Sequence, residues 1–144
     1  MKPLLNVTGL QAGYGAAQVL FGVDFSVSEG EVVTLLGRNG MGRSTTIKCL
    51  FGLLAAKGGE IEFGGKRVER LASHQIAKLG LGLVPEGRQV FPNLTVEENL
   101  VATARINPLN RLKPWTLERV YGFFPRLQER RSNLGSQLSG GEQQ

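Results

Sequence analysis

A chain of 144 residues and 15.6 kDa is long enough for one ordinary domain with a hydrophobic core. Its 41% hydrophobic and 20% charged residues are typical of a globular protein, and no apolar run approaches the roughly 20 residues of a membrane-spanning helix. The net charge of +5 is scattered, so no basic tract is dense enough for a nucleic-acid groove, and we expect no nucleic-acid partner. A single cysteine, Cys49, cannot form an internal disulfide, which fits a reducing, cytoplasmic compartment.

Residues 1–84 predict mixed α/β structure. Apolar residues alternate at period two over residues 5–10 and 19–27, as they do in half-buried strands. Two nearly continuous apolar runs, 32–36 and 81–84, predict strands that are buried on both faces. The other elements predicted in this part are a helix over 43–52, a strand over 60–65 and a short helix over 73–79.

Residues 85–144 are expected to be mostly helical, with loops. Thr95 and Glu98 have the spacing of a capping box, so a helix should begin there and continue to Ala104. Two short helices are expected over 116–124 and 125–131, where apolar residues form a stripe. The change of pattern predicts two parts, 1–84 and 85–144.

A glycine-rich loop stands between the predicted strand 32–36 and the helix that follows. Its sequence over residues 37–44, Gly-Arg-Asn-Gly-Met-Gly-Arg-Ser, differs at one position from the phosphate-binding pattern G-x-x-x-x-G-K-[ST]. Gly37, Gly40 and Gly42 allow the backbone to fold around a polyphosphate with its N–H groups pointing inward. The helix that follows directs its positive end at the same anion. A glycine-rich turn that merely ends a strand is the competing interpretation.

The side chains at the end of this loop complete the prediction. Ser44 offers a hydroxyl to the Mg²⁺ that accompanies a nucleoside triphosphate. Arg43 replaces the lysine of the pattern; it keeps the charge but carries a wider, planar fork, so we expect phosphate binding to be retained and transition-state placement to be altered. The predicted phosphate-binding residues are Gly37, Arg38, Asn39, Gly40, Met41, Gly42, Arg43, Ser44 and Thr45, with no separate role for Arg38 or Met41.

A second glycine-rich helix start occupies residues 138–144. Ser139 is placed to cap the helix, and Glu142 is placed to reach back to the amide of the cap. Gly140 and Gly141 should leave the backbone N–H groups uncovered, which predicts a second anion site. The helix has only begun where the sequence ends.

The order of a phosphate loop followed by Leu-Ser-Gly-Gly-Glu-Gln resembles the ATP-binding cassette (ABC) ATPases. The resemblance covers the chain from Leu5 to Gln144. The resemblance implies ATP and Mg²⁺ as ligands and an α/β P-loop core with an N-terminal antiparallel β portion and a helical subdomain. It implies that Tyr14 stacks on adenine. It also implies that Glu86, in the coupling loop, replaces a glutamine that touches Mg²⁺ and senses the membrane subunit. The resemblance further implies that the signature residues contact ATP held by a partner cassette. These residues are Ser139, Gly140, Gly141 and Glu142.

Three stretches look like the ATPase subunits of branched-chain amino acid importers. They are Val-Pro-Glu-Gly-Arg at 84–88, the run from Val90 to Leu100, and Pro-Trp-Thr-Leu-Glu-Arg-Val-Tyr at 114–121. This resemblance implies a second ATPase subunit, membrane permease subunits and, indirectly, a substrate-binding protein, with the chain at the inner face of the cell membrane. Importers of urea or short amides share much of this sequence, so the solute stays open.

The family places its Walker B strand and its switch histidine beyond the signature, and this sequence does not contain them. We therefore expect a C-terminally incomplete fold, and little ATP hydrolysis by this chain alone although the full-length family is an ATPase. The alternative is a non-catalytic or unstable truncated nucleotide-binding module. A cassette of the nucleic-acid branch is a third possibility, against which the 84–88 and 114–121 stretches argue.

Overall fold

The computed structural model describes residues 3–104 and 114–144. The chain divides into two compact units, unit 1 (Met1–Leu81) and unit 2 (Gly82–Gln144). No helix among the described residues is long and apolar enough to cross a membrane.

Unit 1 contains an antiparallel sheet of four strands in the order β2-β1-β3-β4. The central strand β1 pairs with β2 from Leu5 opposite Val27 to Tyr14 opposite Ala17, and with β3 on its other side. The predicted antiparallel β portion is confirmed. The strands are β1 (Leu5–Tyr14), β2 (Ala17–Val27), β3 (Gly58–Phe63) and β4 (Lys66–Arg67).

The core of unit 1 lies between this sheet and two helices, α1 (Arg43–Leu50) and α2 (Ser73–Lys78). Cys49 and Leu50 of α1 are buried, and Ile76 of α2 is 1% exposed. Burial raises the pKa of the Cys49 thiol, so this cysteine behaves as a small apolar side chain. The core comprises Val7, Leu10, Ala12, Leu20, Cys49, Leu50, Ile61, Phe63, Val68 and Ile76.

The strands expected at 32–36 and 81–84 are absent, and that prediction was wrong. Neither run pairs with a strand in the described part of the chain. Val32 is 93% exposed, Leu36 84% and Val84 73%. A continuous apolar run becomes a buried strand only when neighbouring strands bond its edges and other elements cover its faces. The sheet of unit 1 is built from other segments, so both runs lack a paired strand and most of their apolar side chains stay exposed.

The regular structure in the described part of unit 2 consists of short helices joined by loops. The capping box at Thr95 is confirmed: its hydroxyl accepts from the Glu98 amide at 3.2 Å, and the Glu98 carboxylate accepts from the Thr95 amide at 2.7 Å. Thr116 caps the next helix by accepting from the Arg119 amide at 3.3 Å. The helices are α3 (Val96–Thr103), α4 (Leu117–Phe123), α5 (Pro125–Glu129) and α6 (Gly140–Gln143), with a 3₁₀ turn over Gly135–Gln137.

Asn99 fastens the loop before α3 to that helix. Its amide group donates to the carbonyls of Phe91 (3.0 Å), Leu94 (3.1 Å) and Thr95 (2.9 Å), and its Oδ1 accepts from the Phe91 amide at 2.8 Å. The Gly135 amide donates to Leu94 O at 2.8 Å, which ties the approach to α6 to the same loop. The loop before α3 and the segment before α6 therefore form one hydrogen-bonded block.

Candidate functional site

The glycine-rich loop leads directly into α1. Gly40 and Gly42 both have φ of 85°, in the left-handed region where only glycine is unstrained. Gly42 is also buried against β2, since a Cβ at this position would lie 2.5 Å from Leu20 Cδ2. The sequence needs glycine at 42 for two independent reasons, backbone conformation and close packing.

The start of α1 is open to an anion. Gly42 is the residue before the helix, and no side chain in the described part of the chain caps the first amides of the helix. No acidic residue stands in the first turn. The first four amides of a helix have no partner within it, and they favour negative charge. The loop and helix start thus provide the donor arrangement that a phosphate group requires.

Arg43 lies across the loop rather than pointing away from it. Its Nη2 donates to Asn39 Oδ1 at 3.0 Å. Its stem passes Gly37, where a Cβ would lie 3.8 Å from Arg43 Cγ and Cδ. The guanidinium is therefore held over the loop by a neutral amide, which a phosphate oxygen can replace as the hydrogen-bond acceptor.

Ser44 and Thr45, which are adjacent in the first turn of α1, differ in environment. Ser44 is exposed, and its hydroxyl oxygen is the kind of ligand that Mg²⁺ prefers. Thr45 is 5% exposed, and hydrogen bonding to its side chain is the main cause that lowers the pKa of the Tyr14 phenol. Among residues 3–104 and 114–144, no group of three or more His, Cys, Asp or Glu side chains could hold a metal ion.

Tyr14, the residue implied to contact adenine, lies beside α1. Its ring is 47% exposed, its hydroxyl is 3.5 Å from Lys48 Nζ, and that ammonium lies 5.6 Å from the ring centroid. The contact with Lys48 of α1 places the ring next to the helix that follows the phosphate loop. Unit 1 thus brings the aromatic side chain and the phosphate loop to the same helix.

The signature start in unit 2 has the predicted link between Ser139 and Glu142. The carboxylate of Glu142 accepts from the Ser139 amide at 2.8 Å and from its hydroxyl at 2.7 Å. These bonds, that of the hydroxyl first, lower the pKa of Glu142, and Arg130 Nε lies 3.5 Å from the same carboxylate. Gln143 Nε2 donates to the carbonyls of Gly135 (2.9 Å) and Leu138 (3.1 Å), which fastens α6 to the segment before it.

The two signature glycines differ in the space that their α-carbons face. A Cβ at Gly141 would have open space, but a Cβ at Gly140 would overlap the guanidinium of Arg88. The sequence analysis missed Arg88 because no local pattern reports a contact between two positions so far apart in the chain. Glu86, two residues before it, is exposed and belongs to the same unit.

Fold and site together define an α/β phosphate-loop protein with an antiparallel β portion and a helical part. The chain belongs to the ABC transporter family, whose model matches residues 20–144. A solved structure described as an ATP-binding subunit of an ABC transporter superposes with a TM-score of 0.77 at 34% identity, covering 97% of this chain and 58% of that one. The predicted family and fold class are confirmed.

Curated relatives of this chain include ATP-binding proteins of several transport systems. The chain is 38% identical to the high-affinity branched-chain amino acid transport ATP-binding protein BraG of Pseudomonas aeruginosa, over 98% of this chain and 60% of that protein. It is 34% identical to the probable branched-chain amino acid transport ATP-binding protein LivF of Archaeoglobus fulgidus, over 98% and 59%. The lipopolysaccharide export ATP-binding protein LptB of Haemophilus influenzae is also 34% identical, over 96% and 58%. The chain thus spans about 60% of the length of these relatives.

Proposed function

We propose that this chain is the nucleotide-binding part of an ABC importer's ATP-binding subunit, which couples ATP binding and hydrolysis to uptake of branched-chain amino acids. The observation that carries the proposal is the phosphate loop itself. Its left-handed Gly40 and Gly42 lead into a helix start without a side-chain cap, and Arg43 extends over the loop. A polyphosphate is the ligand that this arrangement of amides and positive charge fits best.

ATP occupies unit 1 in this proposal. The amides of residues 37–45 bind the phosphates, and Arg43 exchanges its bond to Asn39 for a bond to a phosphate oxygen. The exposed hydroxyl of Ser44 contributes to holding Mg²⁺, whose charge offsets that of the phosphates. Tyr14 stacks on adenine with its exposed ring.

The signature start, Ser139 to Glu142, acts on ATP held by a second cassette. The phosphate loop lies in unit 1 and the signature in unit 2. In a pair of cassettes, each ATP is bound by the phosphate loop of one subunit and contacted by the signature of the other. Glu86 and its loop contact membrane permease subunits. The chain therefore works at the inner face of the cell membrane, with a homologous or identical ATPase beside it and a substrate-binding protein as an indirect partner.

The assignment of branched-chain amino acids as the solute is supported by the branched-chain relatives and by the 84–88 and 114–121 stretches. The test is uptake of radiolabelled leucine, isoleucine and valine by cells that lack the gene and by cells that carry it on a plasmid. We expect uptake to fall in the deletion strain and to return with the plasmid. Loss of urea or short-amide uptake with normal leucine uptake would assign the cassette to those importers instead.

A non-catalytic nucleotide-binding module is the alternative, because the chain spans only part of its relatives. Release of inorganic phosphate from MgATP separates the two possibilities. We expect the chain expressed from its complete reading frame to release phosphate steadily with its partner subunits, and residues 1–144 alone to bind nucleotide without turnover. Absence of turnover in the assembled complex would favour the alternative.

A further inference from the structure

The backbone at Arg88 is held in a conformation that disfavours an arginine. Its φ is 52°, and it is the only non-glycine residue with a positive φ in the described ranges 3–104 and 114–144. Gly87 before it is also left-handed, with φ of 88°. Glycine is the residue that this turn conformation favours at both positions. The arginine side chain must therefore make a contact that offsets the free-energy cost of this backbone conformation.

The guanidinium of Arg88 lies against the first residue of the signature helix. A Cβ built on Gly140 would overlap Cζ, Nη1 and Nη2 of Arg88, whereas a Cβ on Gly141 meets nothing within 4 Å. The φ of Gly140 is not positive, so the backbone alone does not require glycine there. A β-carbon at position 140 would therefore displace the Arg88 guanidinium, the exposed end of a flexible side chain, from the signature start.

No ion pair accounts for this placement. Among the described residues, no carboxylate is within 4.0 Å of the Arg88 guanidinium. The nearby Glu142 is engaged by Ser139 and Arg130 instead. The contact between Arg88 and Gly140 is thus one of shape: a flat guanidinium fills the place that a β-carbon would take.

The loop that carries Arg88 is itself anchored. The Val90 amide donates to Arg88 O at 2.8 Å, and Phe91 is held at both its amide and its carbonyl by Asn99. Gly135 lies close to Phe91 as well, since a Cβ there would be 2.7 Å from Phe91 O. Residues 86–91 therefore contact the signature and the segment before it at two points, Gly140 and Gly135.

We propose that Arg88 is a positioning residue, whose guanidinium against Gly140 sets the orientation of the signature start relative to the loop of residues 86–91. The inference rests on the proposed function, in which that loop contacts the permease and the signature contacts the partner's ATP. Arg88 links the two within one unit.

A double-mutant cycle on thermal unfolding tests the contact without nucleotide. We expect Gly140→Ala to be less favourable for the melting temperature in the wild-type background than with Arg88→Ala, because in the wild type the flexible end of the Arg88 side chain must move aside. The difference should be small. Gly141→Ala is the matched control for stability, and its effect should be the same in both backgrounds. Equal effects of Gly140→Ala with and without Arg88 would overturn the proposal.

The functional test uses the protein from its complete reading frame, with its partner ATPase. Binding of mant-ATP reports the phosphate loop, and ATP-dependent association measured by sedimentation reports the signature. Arg88→Ala and Arg88→Gly should leave the mant-ATP Kd within about twofold but raise the ATP needed for half-maximal association about tenfold or more, within the usual range of coupling between sites. Arg88→Lys, which keeps the charge but not the planar fork, should be intermediate.

Arg88→Gly separates positioning from simple structural support. Glycine suits the left-handed turn, so this variant should melt no lower than Arg88→Ala and still associate poorly. Arg70→Ala, at an exposed position of unit 1, is the activity control and should behave like the wild type. Normal association of Arg88→Gly and Arg88→Ala would overturn the inference alone. A wild-type protein that fails to bind mant-ATP, or binds it without associating, would overturn the proposed function and the inference with it.

Discussion

At the scale of single residues, the phosphate loop depends on two glycines with the same backbone angle and different surroundings. Gly40 and Gly42 both have φ of 85°. A Cβ on Gly40 would have open space, whereas a Cβ on Gly42 would meet Leu20, which is 2% exposed. The pair allows backbone strain to be separated from packing.

We expect Gly40→Ala to destabilise unit 1 by about 1–2 kcal/mol, from backbone strain alone. Gly42→Ala should cost about 3 kcal/mol or more, because overlap with a core side chain adds about 1–3 kcal/mol. Urea unfolding of both variants measures the difference. Equal losses would show that Gly42 is not packed against Leu20.

Arg43 is the residue whose role the sequence left most open. The motif indicated a positive charge at the phosphate site, and its neighbours in sequence could not show where the guanidinium goes. The structure places it on Asn39, four residues earlier, over the loop. The pattern identified the residue, while the bond that orients it depends on how the loop folds.

At the scale of elements, the helix starts in unit 2 could be predicted because their hydrogen bonds are local. Thr95 and Glu98 lie three residues apart, as do Ser139 and Glu142, and both pairs form their expected bonds to the cap amide. The buried strands at 32–36 and 81–84 could not be predicted correctly, since an apolar run does not specify what covers it. The local pairs are stabilised within one turn; the strands required partners from elsewhere.

Acid should weaken these helix starts. Hydrogen bonds, chiefly from the Thr95 amide and from the Ser139 hydroxyl, lower the pKa of Glu98 and of Glu142 below the ordinary value of 4.5. A carboxylate with a depressed folded-state pKa stabilises the fold above its unfolded pKa, and this contribution is lost as pH falls through the folded value. Urea unfolding between pH 7 and pH 3 should show stability decreasing below about pH 4.5.

The Glu98→Gln variant should lose part of this pH dependence. Glu129→Gln, which removes an exposed partner of Arg126, serves as the matched control and should retain the wild-type profile. An unchanged pH profile in Glu98→Gln would contradict a role for the Thr95 capping box in acid sensitivity.

Asn99 is the most connected side chain of the loop before α3. Its amide serves three carbonyls and its oxygen accepts from the Phe91 amide. Replacing it by alanine removes four hydrogen bonds, including the one that the Phe91 amide donates to Oδ1, so we expect a loss of about 2 kcal/mol in the free energy of unfolding. Asn93→Ala, at an exposed turn position of the same loop, should change stability by less than about 0.5 kcal/mol. Denaturant unfolding of the two variants would contradict this assignment if their losses were equal.

At the scale of the whole molecule, apolar residues occur both in a packed core and on an open segment. Val7 is 2% exposed in the sheet of unit 1, and Val32 is 93% exposed in a run that the sequence predicted to be a buried strand. A valine-to-alanine substitution at each site tests whether residues 32–36 form a buried strand or an exposed segment. Exposed apolar runs of this kind mark surfaces that other segments or partners cover.

In the 144-residue chain, Val7→Ala should cost about 2 kcal/mol, for two buried methyl groups and the space they leave. Val32→Ala should cost less than about 0.5 kcal/mol. The free energies of unfolding of the two variants, measured in urea, give the comparison. A loss at Val32 as large as that at Val7 would restore the buried strand that the sequence predicted.

The central claim is that the loop of residues 37–45 binds the phosphates of ATP, and calorimetric titration of MgATP tests it most directly. We expect saturable binding at one site per chain with a Kd below about 1 mM, the upper end of ordinary substrate affinities. Arg43→Ala should weaken binding about tenfold or more, because it removes a charge-assisted contact, while Arg43→Lys should stay within about threefold, since the positive charge remains. A folded wild-type chain without saturable binding, or an Arg43→Ala variant with unchanged affinity, would contradict the claim.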